Sequence, residues 1–206
     1  MVLTPEMLLT GYAAGIFPMA DSADSPDLHW YDPPLRGVLP VGGVHASRSL
    51  RRDLRRGNWS ASVNHCFSDI VRACANRPET WINAPLFNLY AALHQMGHAH
   101  SLEIWHDGRL AGGLFGVSLG GAFFGESMFS ARRSGSKMAL LWLSAHLRDC
   151  AFTLCDTQFI TPHLASMGGV EISRDEYRTR LAKALNIRAV FGSIQLPDWQ
   201  EITQTS

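Results

Sequence analysis

The sequence of 206 residues lacks several features that define whole classes of protein. Its four cysteines show no CxxC spacing, and its 18 basic and 18 acidic side chains leave no net charge. These absences exclude a disulfide framework, a disordered acidic tail and a globally basic coat for nucleic acid. The chain also lacks a basic segment at its start and any apolar run near the ~20 residues that span a bilayer. We expect a protein of reducing, cytoplasmic surroundings, with neither membrane nor DNA partners.

The order of the predicted elements favours the α/β class, with a mixed (α+β) sheet. Helix caps and turn residues divide the chain from residue 44 onwards into regular elements. The pattern predicts, in order, an Arg-rich helix near 47–56, a strand near 58–63, helices near 66–76 and 84–96, strands near 100–106, 109–117 and 121–128, a helix at 136–149, a strand near 153–158, a short helical segment and a last helix capped by Ser173. This is the order of the acyl-CoA N-acetyltransferase (GNAT-like) fold, which suggests acyl transfer by analogy.

Residues 1–43 form the other predicted unit, a small N-terminal subdomain that precedes the GNAT-like domain of residues 44–206. Thr4, Pro5 and Glu6 are typical of a helix start, and Gly15 is typical of its end. From residue 16 to 40, frequent prolines and aspartates predict irregular structure.

Two motifs invite a catalytic or metal-binding interpretation. Residues 116–120 match the GxSxG nucleophile elbow, but that elbow requires a following helix and a strand is predicted here. The motif therefore predicts a hairpin turn. His94, His98 and His100 lie close together without an HExxH pattern, which favours surface or core histidines over metal ligands.

A run of five arginines stands out in this neutral chain. Helical spacing places Arg48, Arg52, Arg55 and Arg56 on one face, with Arg51 beside them. A solvated charged face is the alternative, but 16 of the 18 basic residues are arginines, the better fork for phosphate. The run therefore favours contact with a phosphate backbone.

A second basic segment, residues 132–137, precedes the predicted helix at 136–149. Its side chains and the free N–H groups of the helix would converge where a phosphate could bind. The segment approximates the RxxGxG loop that receives the pyrophosphate of coenzyme A, with Lys137 where a small residue is usual. A plain capped helix is the alternative.

Three polar residues on two predicted strands indicate a site at the end of the predicted sheet. Side chains alternate along a strand, so Asp156 and Gln158 should face one space and Thr157 the opposite side. Glu126 is an ionisable group within an apolar strand, and lone buried acids are rare unless they are paired or functional. A buried hydrogen-bond network that ties two strands is the alternative.

Trp30 and Trp81 occupy polar loops, where large aromatics often mark a stacking surface.

Several blocks of the sequence together resemble the leucyl/phenylalanyl-tRNA-protein transferases, a bacterial family that moves an amino acid from charged tRNA to a protein N-terminus. The blocks are GIFP at residues 15–18, Trp30 with Asp32-Pro33, HASRSL at 45–50, TWI at 80–82, MGHAHSLEIW at 96–105, FGESMFS at 124–130, Ser136-Lys137, DTQ at 156–158 and HLASMG at 163–168. They cover the chain from about Leu8 to Leu185. Two positions depart from the family pattern: Met19 stands where Trp is usual, and Thr157 where Cys is common.

The resemblance implies an enzyme that uses Leu-tRNA or Phe-tRNA, with Met as a further donor side chain. The implied acceptors are proteins that begin with Arg or Lys, which the reaction marks for N-terminal-rule degradation. It implies no metal and no cofactor, and we expect a monomer. The rivals are an acetyl-CoA-dependent N-acetyltransferase and a non-enzymatic module that binds aminoacyl-tRNA.

The resemblance also suggests a role for each candidate residue. Asp156 would hold the acceptor amine and relay its proton or only position it, Gln158 would orient the amine or stabilise the oxyanion, and Glu126 would orient this pair. The aminoacyl pocket would be lined by Leu114, Phe123, Met128 and Leu143. The 3'-adenosine of tRNA would lie against Trp30, Trp81 and Met19, and tRNA phosphates would contact Arg48, Arg52, Arg55 and Arg56. The Thr157 departure should be mild, because this side chain is expected to point away from the site.

Overall fold

The computed structural model describes residues 3–25, 27–192, 195–197 and 202. The helices are α1 (Pro5–Ala13), α2 (Arg48–Arg56), α3 (Phe67–Ala75), α4 (Ala84–Gln95), α5 (Gly135–Asp149), α6 (Pro162–Ser166) and α7 (Arg174–Leu185). The strands are β1 (Phe17–Ala20), β2 (Leu28–Tyr31), β3 (Leu35–Leu39), β4 (Trp59–Val63), β5 (Ala99–His106), β6 (Arg109–Leu119), β7 (Ala122–Ser130), β8 (Leu154–Gln158) and β9 (Val170–Ser173). The predicted order from residue 47 to the last helix is confirmed, with β9 as the element that was not predicted.

The local signals act as the sequence indicates. The Thr4 hydroxyl accepts from the Met7 N–H at the start of α1, and Gly15 follows the helix with φ +84°. The Ser173 hydroxyl accepts from the Glu176 N–H and begins α7. These caps satisfy helix N–H groups that have no partner inside the helix.

A seven-stranded mixed sheet, in the order β4-β5-β6-β7-β8-β3-β9, organises the fold and confirms the predicted class. Its only parallel neighbours among the described residues are β7 and β8, which pair from Ala122↔Leu154 to Phe124↔Asp156. Beyond that pair the register stops, although both strands continue, to Ser130 in β7 and Gln158 in β8. The two strands therefore part, as in GNAT-like folds, and leave an opening in the sheet.

The N-terminal segment is more regular than its sequence predicts. Residues 16–40 contain β1 and β2, which form a two-stranded sheet, and β3, which lies between β8 and β9 in the large sheet. The prediction of irregular structure there was wrong. The strands give weak signals in the sequence, because they are only four or five residues long and because β3 contains Arg36 and Gly37, which are atypical of strands. The domain boundary at residue 43 stays a prediction.

The two faces of the sheet carry separate hydrophobic clusters. Leu114 packs in the cluster beneath α5, whereas its neighbour Phe115 packs in the cluster beneath α3 and α4. This alternation is what a strand covered on both faces requires. Within the described residues, no helix is both long and apolar enough to cross a membrane.

Candidate functional site

A cavity of about 490 Å³ opens where β7 and β8 part. Its wall is mainly apolar and its polar groups come from the ends of the two strands. Its lining side chains include Phe17, Met19, Arg77, Trp81, Leu114, Glu126, Ser127, Met128, Ser136, Leu140, Leu143, Cys155, Thr157, Gln158, Phe159 and His163. An apolar enclosure with a few convergent polar groups is the usual form of a small-ligand site.

Three of the four residues predicted for the aminoacyl pocket line this cavity, namely Leu114, Met128 and Leu143. The fourth, Phe123, is fully buried in the core, with its ring stacked on Phe191 at 5.3 Å. Leu140 and Cys155 line the cavity and were missed. Leu140 lies one helical turn before Leu143, so spacing along α5 could have indicated it. Cys155 carries no comparable signal.

Asp156 is fully buried and its carboxylate is saturated with donors. Oδ1 accepts from Arg36 Nε at 2.9 Å and from the Gln158 N–H at 2.8 Å. Oδ2 accepts from Arg36 Nη2 at 2.6 Å and from the Tyr177 hydroxyl at 2.8 Å. A carboxylate offers about four lone-pair sites, so these contacts occupy them all. We call Arg36, Asp156 and Tyr177 the Asp156 network.

Arg36 completes this network from β3. Its Nη1 donates to the Gly15 carbonyl at 3.0 Å, and its guanidinium lies over the rings of Phe17 and Tyr177. Burial alone would lower the pKa of Arg36, but the hydrogen bonds and charge of Asp156 outweigh it and raise the pKa above its ordinary value. The ion pair is thus held charged within the core. Nothing in the sequence indicates Arg36 as a partner of Asp156.

The backbone at the end of β8 explains why Asp156 and its neighbours face different ways. Gly37 pairs with Gln158 and Val38 with Asp156, so Thr157 is an extra residue in the ladder, a β-bulge. Gln158 has φ +58° and is the centre of a tight turn closed by the Phe159 N–H and the Thr157 carbonyl at 2.6 Å. Strand alternation fails here. Thr157 and Gln158 both line the cavity, which corrects the expectation that Thr157 points away.

Glu126 lines the cavity from the other parting strand. Its carboxylate oxygens accept from the hydroxyls of Tyr12, at 2.7 Å, and Tyr90, at 2.8 Å. Burial raises the pKa of Glu126 to about 7, although the two tyrosine hydrogen bonds act in the opposite direction. Burial therefore shifts the ionisation of Glu126 toward neutral pH. The tyrosines come from α1 and α4 and were not predicted.

The residues predicted for the 3'-adenosine separate into two groups. Trp81 and Met19 line the cavity beside Phe17 and the exposed ring of Phe159. Trp30 lies instead over α1, where a Cβ added at Gly11 would come within 2.2 Å of its ring.

A second depression, the basic groove, is lined by Arg52, Arg56, Arg133 and Lys137 and has a volume of about 490 Å³. It joins the arginine helix α2 to the loop before α5, two basic segments that lie far apart in the sequence. Ser136 and His163 line both the groove and the cavity, so the two sites share a wall. Arg48 and Arg55 are exposed elsewhere on α2.

The GxSxG motif forms a hairpin between β6 and β7, as predicted, with Gly120 at φ +56°. Ser118 Oγ is 3.0 Å from His100 Nε2. The Asn64 Oδ1 atom accepts from the Ser101 N–H, so its amide nitrogen faces His100 Nδ1 at 3.2 Å. His100 then carries its proton on Nε2 and donates it to Ser118, and burial lowers its pKa to about 4. This histidine cannot act as the base that a serine nucleophile needs.

The neighbouring residues His94, His98 and Glu103 serve the fold. His94 and His98 Nδ1 atoms lie 2.8 and 3.2 Å from backbone carbonyls. Glu103 is fully buried and accepts from the hydroxyls of Ser62 and Ser101, both at 2.6 Å. In the described part of the chain, no group of three or more His, Cys, Asp or Glu residues is arranged to hold a metal ion.

A mixed sheet that parts between two parallel strands above an apolar cavity defines the class of GNAT-like acyl-transfer proteins. The chain belongs to the leucyl/phenylalanyl-tRNA protein transferase family, whose model matches residues 38–182. A second model, for the N-terminal domain of the same family, matches residues 1–34.

Curated relatives agree with this assignment and cover nearly the full chain. A leucyl/phenylalanyl-tRNA–protein transferase of Paracoccus denitrificans is 59% identical, over 99% of this chain and 98% of the relative. Proteins of the same name from Dinoroseobacter shibae and a Ruegeria species are 58% and 55% identical, over 95% and 99% of this chain and 87% and 97% of the relatives. The resemblance found in the sequence is confirmed.

Proposed function

We propose that this protein transfers Leu or Phe from aminoacyl-tRNA to the α-amine of proteins that begin with Arg or Lys. The observation that carries the proposal is the wall shared by the cavity and the basic groove, formed by Ser136 and His163. An aminoacyl-tRNA end has an apolar acyl group joined through a nucleoside to charged phosphates. The apolar cavity would hold the acyl group, and the adjoining basic groove would bind the phosphates.

The apolar part of the cavity suits an unbranched or γ-branched donor side chain. Leu114, Leu140 and Leu143 are at most 3% exposed, and Met128 packs against their cluster. Leucine and methionine side chains change rotamer readily, so such a wall accepts Leu, Phe or Met. Branching at the β-carbon stiffens Val and Ile, and we expect the cavity to reject them on shape.

The chemistry requires positioning more than a strong base. A free α-amine has a pKa of about 7.7–8.0, so an appreciable fraction is already neutral near pH 7. Gln158 lines the cavity and its side-chain amide can donate to the oxyanion that forms as the amine attacks the ester. Asp156 acts through Gln158, because its carboxylate holds the Gln158 N–H and the tight turn rather than the substrate. Of the two roles first suggested for Asp156, proton relay and positioning, we therefore keep positioning.

Glu126 is the acidic group that faces the acceptor in this proposal. It lines the cavity, and its two tyrosine hydrogen bonds fix its orientation. A carboxylate in that position attracts the cationic α-amine or side chain of an N-terminal Arg or Lys. Because burial raises the pKa of Glu126 to about 7, its attraction for the Arg or Lys side chain should grow as the pH rises through neutrality.

Trp81 and Met19 are the side chains assigned to the terminal adenosine, with Phe159 as a further aromatic at the mouth. Arg52 and Arg56 are assigned to tRNA phosphates, together with Arg133 and Lys137 of the same groove. Phosphate contacts of this kind position an RNA without reading its sequence. The phosphate roles of Arg48 and Arg55 stay predictions. Trp30 is not assigned to the adenosine in this proposal, because its ring lies over Gly11 of α1.

The cellular setting belongs to the same proposal. Marking of acceptors for N-terminal-rule degradation, a cytoplasmic location and a monomeric state follow from the family assignment as predictions. Two rivals remain to be separated by experiment: an acetyl-CoA-dependent N-acetyltransferase, whose coenzyme would use the loop at residues 132–137, and a module that binds aminoacyl-tRNA without turnover.

The test is transfer of labelled Leu or Phe from charged tRNA to a peptide that begins with Arg. The same peptide with an acetylated N-terminus serves as the control for the amine, and labelled acetyl-CoA replaces the donor in a parallel reaction. We expect label only on the free-amine peptide and only from tRNA. Binding of the tRNA without transfer would favour the binding module, and label from acetyl-CoA would favour the acetyltransferase.

A further inference from the structure

Two buried polar atoms in the cavity have no hydrogen-bond partner within the described residues: Thr157 Oγ1 and Gln158 Nε2. Gln158 as a whole is 8% exposed. The other buried polar side chains of this region are satisfied, as the four contacts of Asp156 illustrate. Native proteins seldom leave such atoms unpaired, because each loses its hydrogen bonds to water on burial.

The two atoms are neighbours in sequence and line one cavity because of the bulge at Thr157 and the turn at Gln158. The turn needs close backbone contact with β3, where a Cβ added at Gly37 would lie 2.7 Å from the carbonyl carbon of Phe159. Strain that several contacts maintain is common at functional sites. The local structure thus holds both groups toward the ligand side instead of letting Thr157 face the sheet interior.

The remaining polar groups of the cavity are already engaged. Glu126 accepts from two tyrosines, and Ser127 accepts from Arg77 Nη2 at 3.0 Å. The unpaired hydroxyl and amide are therefore the groups most in need of a ligand. A carboxamide N–H₂ only donates, whereas a hydroxyl both donates and accepts. The pair matches a ligand that offers an acceptor oxygen and an N–H donor side by side.

We propose that the Thr157 hydroxyl accepts a hydrogen bond from the attacking α-amine while Gln158 donates to the ester carbonyl. This inference rests on the proposed aminoacyl transfer and adds Thr157 to the catalytic residues of that site. The hydroxyl directs the nitrogen lone pair at the carbonyl carbon. As the C–N bond of the new amide forms, the ester C–O bond to the tRNA breaks, and the proton lost by the amine ends on the released 3'-oxygen. The pairing also explains why neither atom has a partner in the protein alone.

The test isolates the hydroxyl in two matched pairs of proteins. Thr157→Val removes it with little change of shape, and Thr157→Ala differs from Thr157→Ser by the same hydroxyl. We expect the rate of saturated transfer to an Arg-peptide to fall about tenfold in each pair, as loss of one net hydrogen bond predicts. Thr157→Cys keeps a weaker donor and acceptor and should lie between Thr and Val.

Three further measurements separate this role from a structural one. Affinity for charged tRNA should be unchanged in all four variants, since the contact is with the acceptor. Thermal unfolding of Thr157→Val should occur at or above the wild-type temperature, because an unpaired buried hydroxyl has been removed. Thr153→Val, on an exposed threonine just before β8, is the control and should transfer at the wild-type rate.

The outcomes are distinguishable. Wild-type protein that transfers nothing would overturn the proposed function itself. Wild-type transfer together with equal rates in both hydroxyl pairs would overturn the role of Thr157 and leave the proposed function standing. If Thr157→Val unfolds early, the comparison of Ser with Ala decides alone.

Discussion

The Asp156 network and the cavity meet on one strand, yet their polar groups are in opposite states. In the network each carboxylate lone pair of Asp156 has a donor from the protein, with Arg36 and Tyr177 supplying three of them. One residue further on, Thr157 and Gln158 carry buried atoms without partners among the described residues. The closed network holds the fold and the turn at Gln158 and has no free site for a ligand, whereas Thr157 and Gln158 can still bind one. The difference separates stability from catalysis within three residues.

The largest effect should come from opening the closed network. Asp156→Asn leaves the guanidinium of Arg36 buried without a counter-charge, and we expect a loss of about 3–5 kcal/mol in the free energy of unfolding. Chemical denaturation measures it. Asp149→Asn is the control, because its ion pair with Arg148 is partly exposed and is worth at most about 1 kcal/mol. A variant as stable as the wild type but inactive would instead give Asp156 a direct part in the chemistry.

Glu126 has hydrogen-bond partners in the protein and also lines the cavity. Its titration tests whether it acts toward the ligand as well as in the fold. Its pKa is raised from 4.5 to about 7, so the stability that it contributes is fully present below pH 4.5 and is lost as the pH rises through 7. Glu126→Gln has no such titration. From pH 4 to pH 8 the variant should gain about 3 kcal/mol in the free energy of unfolding relative to the wild type. Tyr12 and Tyr90, whose pKa values burial raises well above 10, do not titrate in this window.

Denaturation curves across that pH range provide the measurement. Parallel wild-type and variant profiles would show that Glu126 has an ordinary pKa and would remove the pH argument for its role toward the acceptor.

Removal of a buried group that has no partner in the protein should slow transfer rather than lower the free energy of unfolding. Gln158→Ala deletes the donor assigned to the oxyanion, and we expect saturated transfer to slow about 100-fold with little change in thermal unfolding. Gln95→Ala, at an exposed position ending α4, should match the wild type in both assays. A large fall in stability without a specific loss of rate would place Gln158 with the closed network.

The two tryptophans test which aromatic side chains belong to the ligand-binding cavity. Trp81→Ala should weaken binding of the charged tRNA end roughly 10- to 100-fold, the range for loss of one base-stacking contact. Trp30→Ala should leave that affinity unchanged, because its ring lies over Gly11 rather than in the cavity. Titration with a short aminoacyl-RNA mimic measures both. Equal losses in the two variants would restore Trp30 to the adenosine site.

The smallest single effect is expected in the basic groove. Arg52→Glu should weaken tRNA binding about tenfold at low salt and reduce the slope of log affinity against log salt by about 1. Arg55→Glu reverses a charge on the same helix outside the groove lining and should do less. Indistinguishable losses would show that the whole arginine face, rather than the groove, contacts the RNA.

Much of the fold followed from local signals in the sequence. Caps such as Thr4 and Ser173 begin helices near their predicted positions, because each side chain accepts a hydrogen bond from a backbone N–H of the helix that follows. The strands at β3 and β9 escaped prediction. They gain their hydrogen bonds from distant partners, and Arg36 is tolerated in β3 only because Asp156 neutralises it.

The site was predicted in composition more than in orientation. Alternation places Leu114 and Phe115 on opposite faces, and the two side chains do pack in different clusters. They lie in a regular stretch of the β6–β7 ladder that ends in a register shift just after Phe115. Alternation fails for Thr157 because one inserted residue reverses the side that every following side chain faces. A bulge of this kind depends on the partner strand, and nothing in the three residues of the motif encodes it.

The place of β3 in the sheet also has a consequence for synthesis on the ribosome. β3 is made early, but both of its neighbours, β8 and β9, come from the last third of the chain. At translation speeds of about 5–20 residues per second, its two edges stay unpaired for on the order of ten seconds. Until Asp156 is made, the charge of Arg36 has no buried partner, and charged side chains on unpaired strand edges disfavour pairing with another chain. We therefore expect the residue that completes the folded network also to oppose association of the nascent strand.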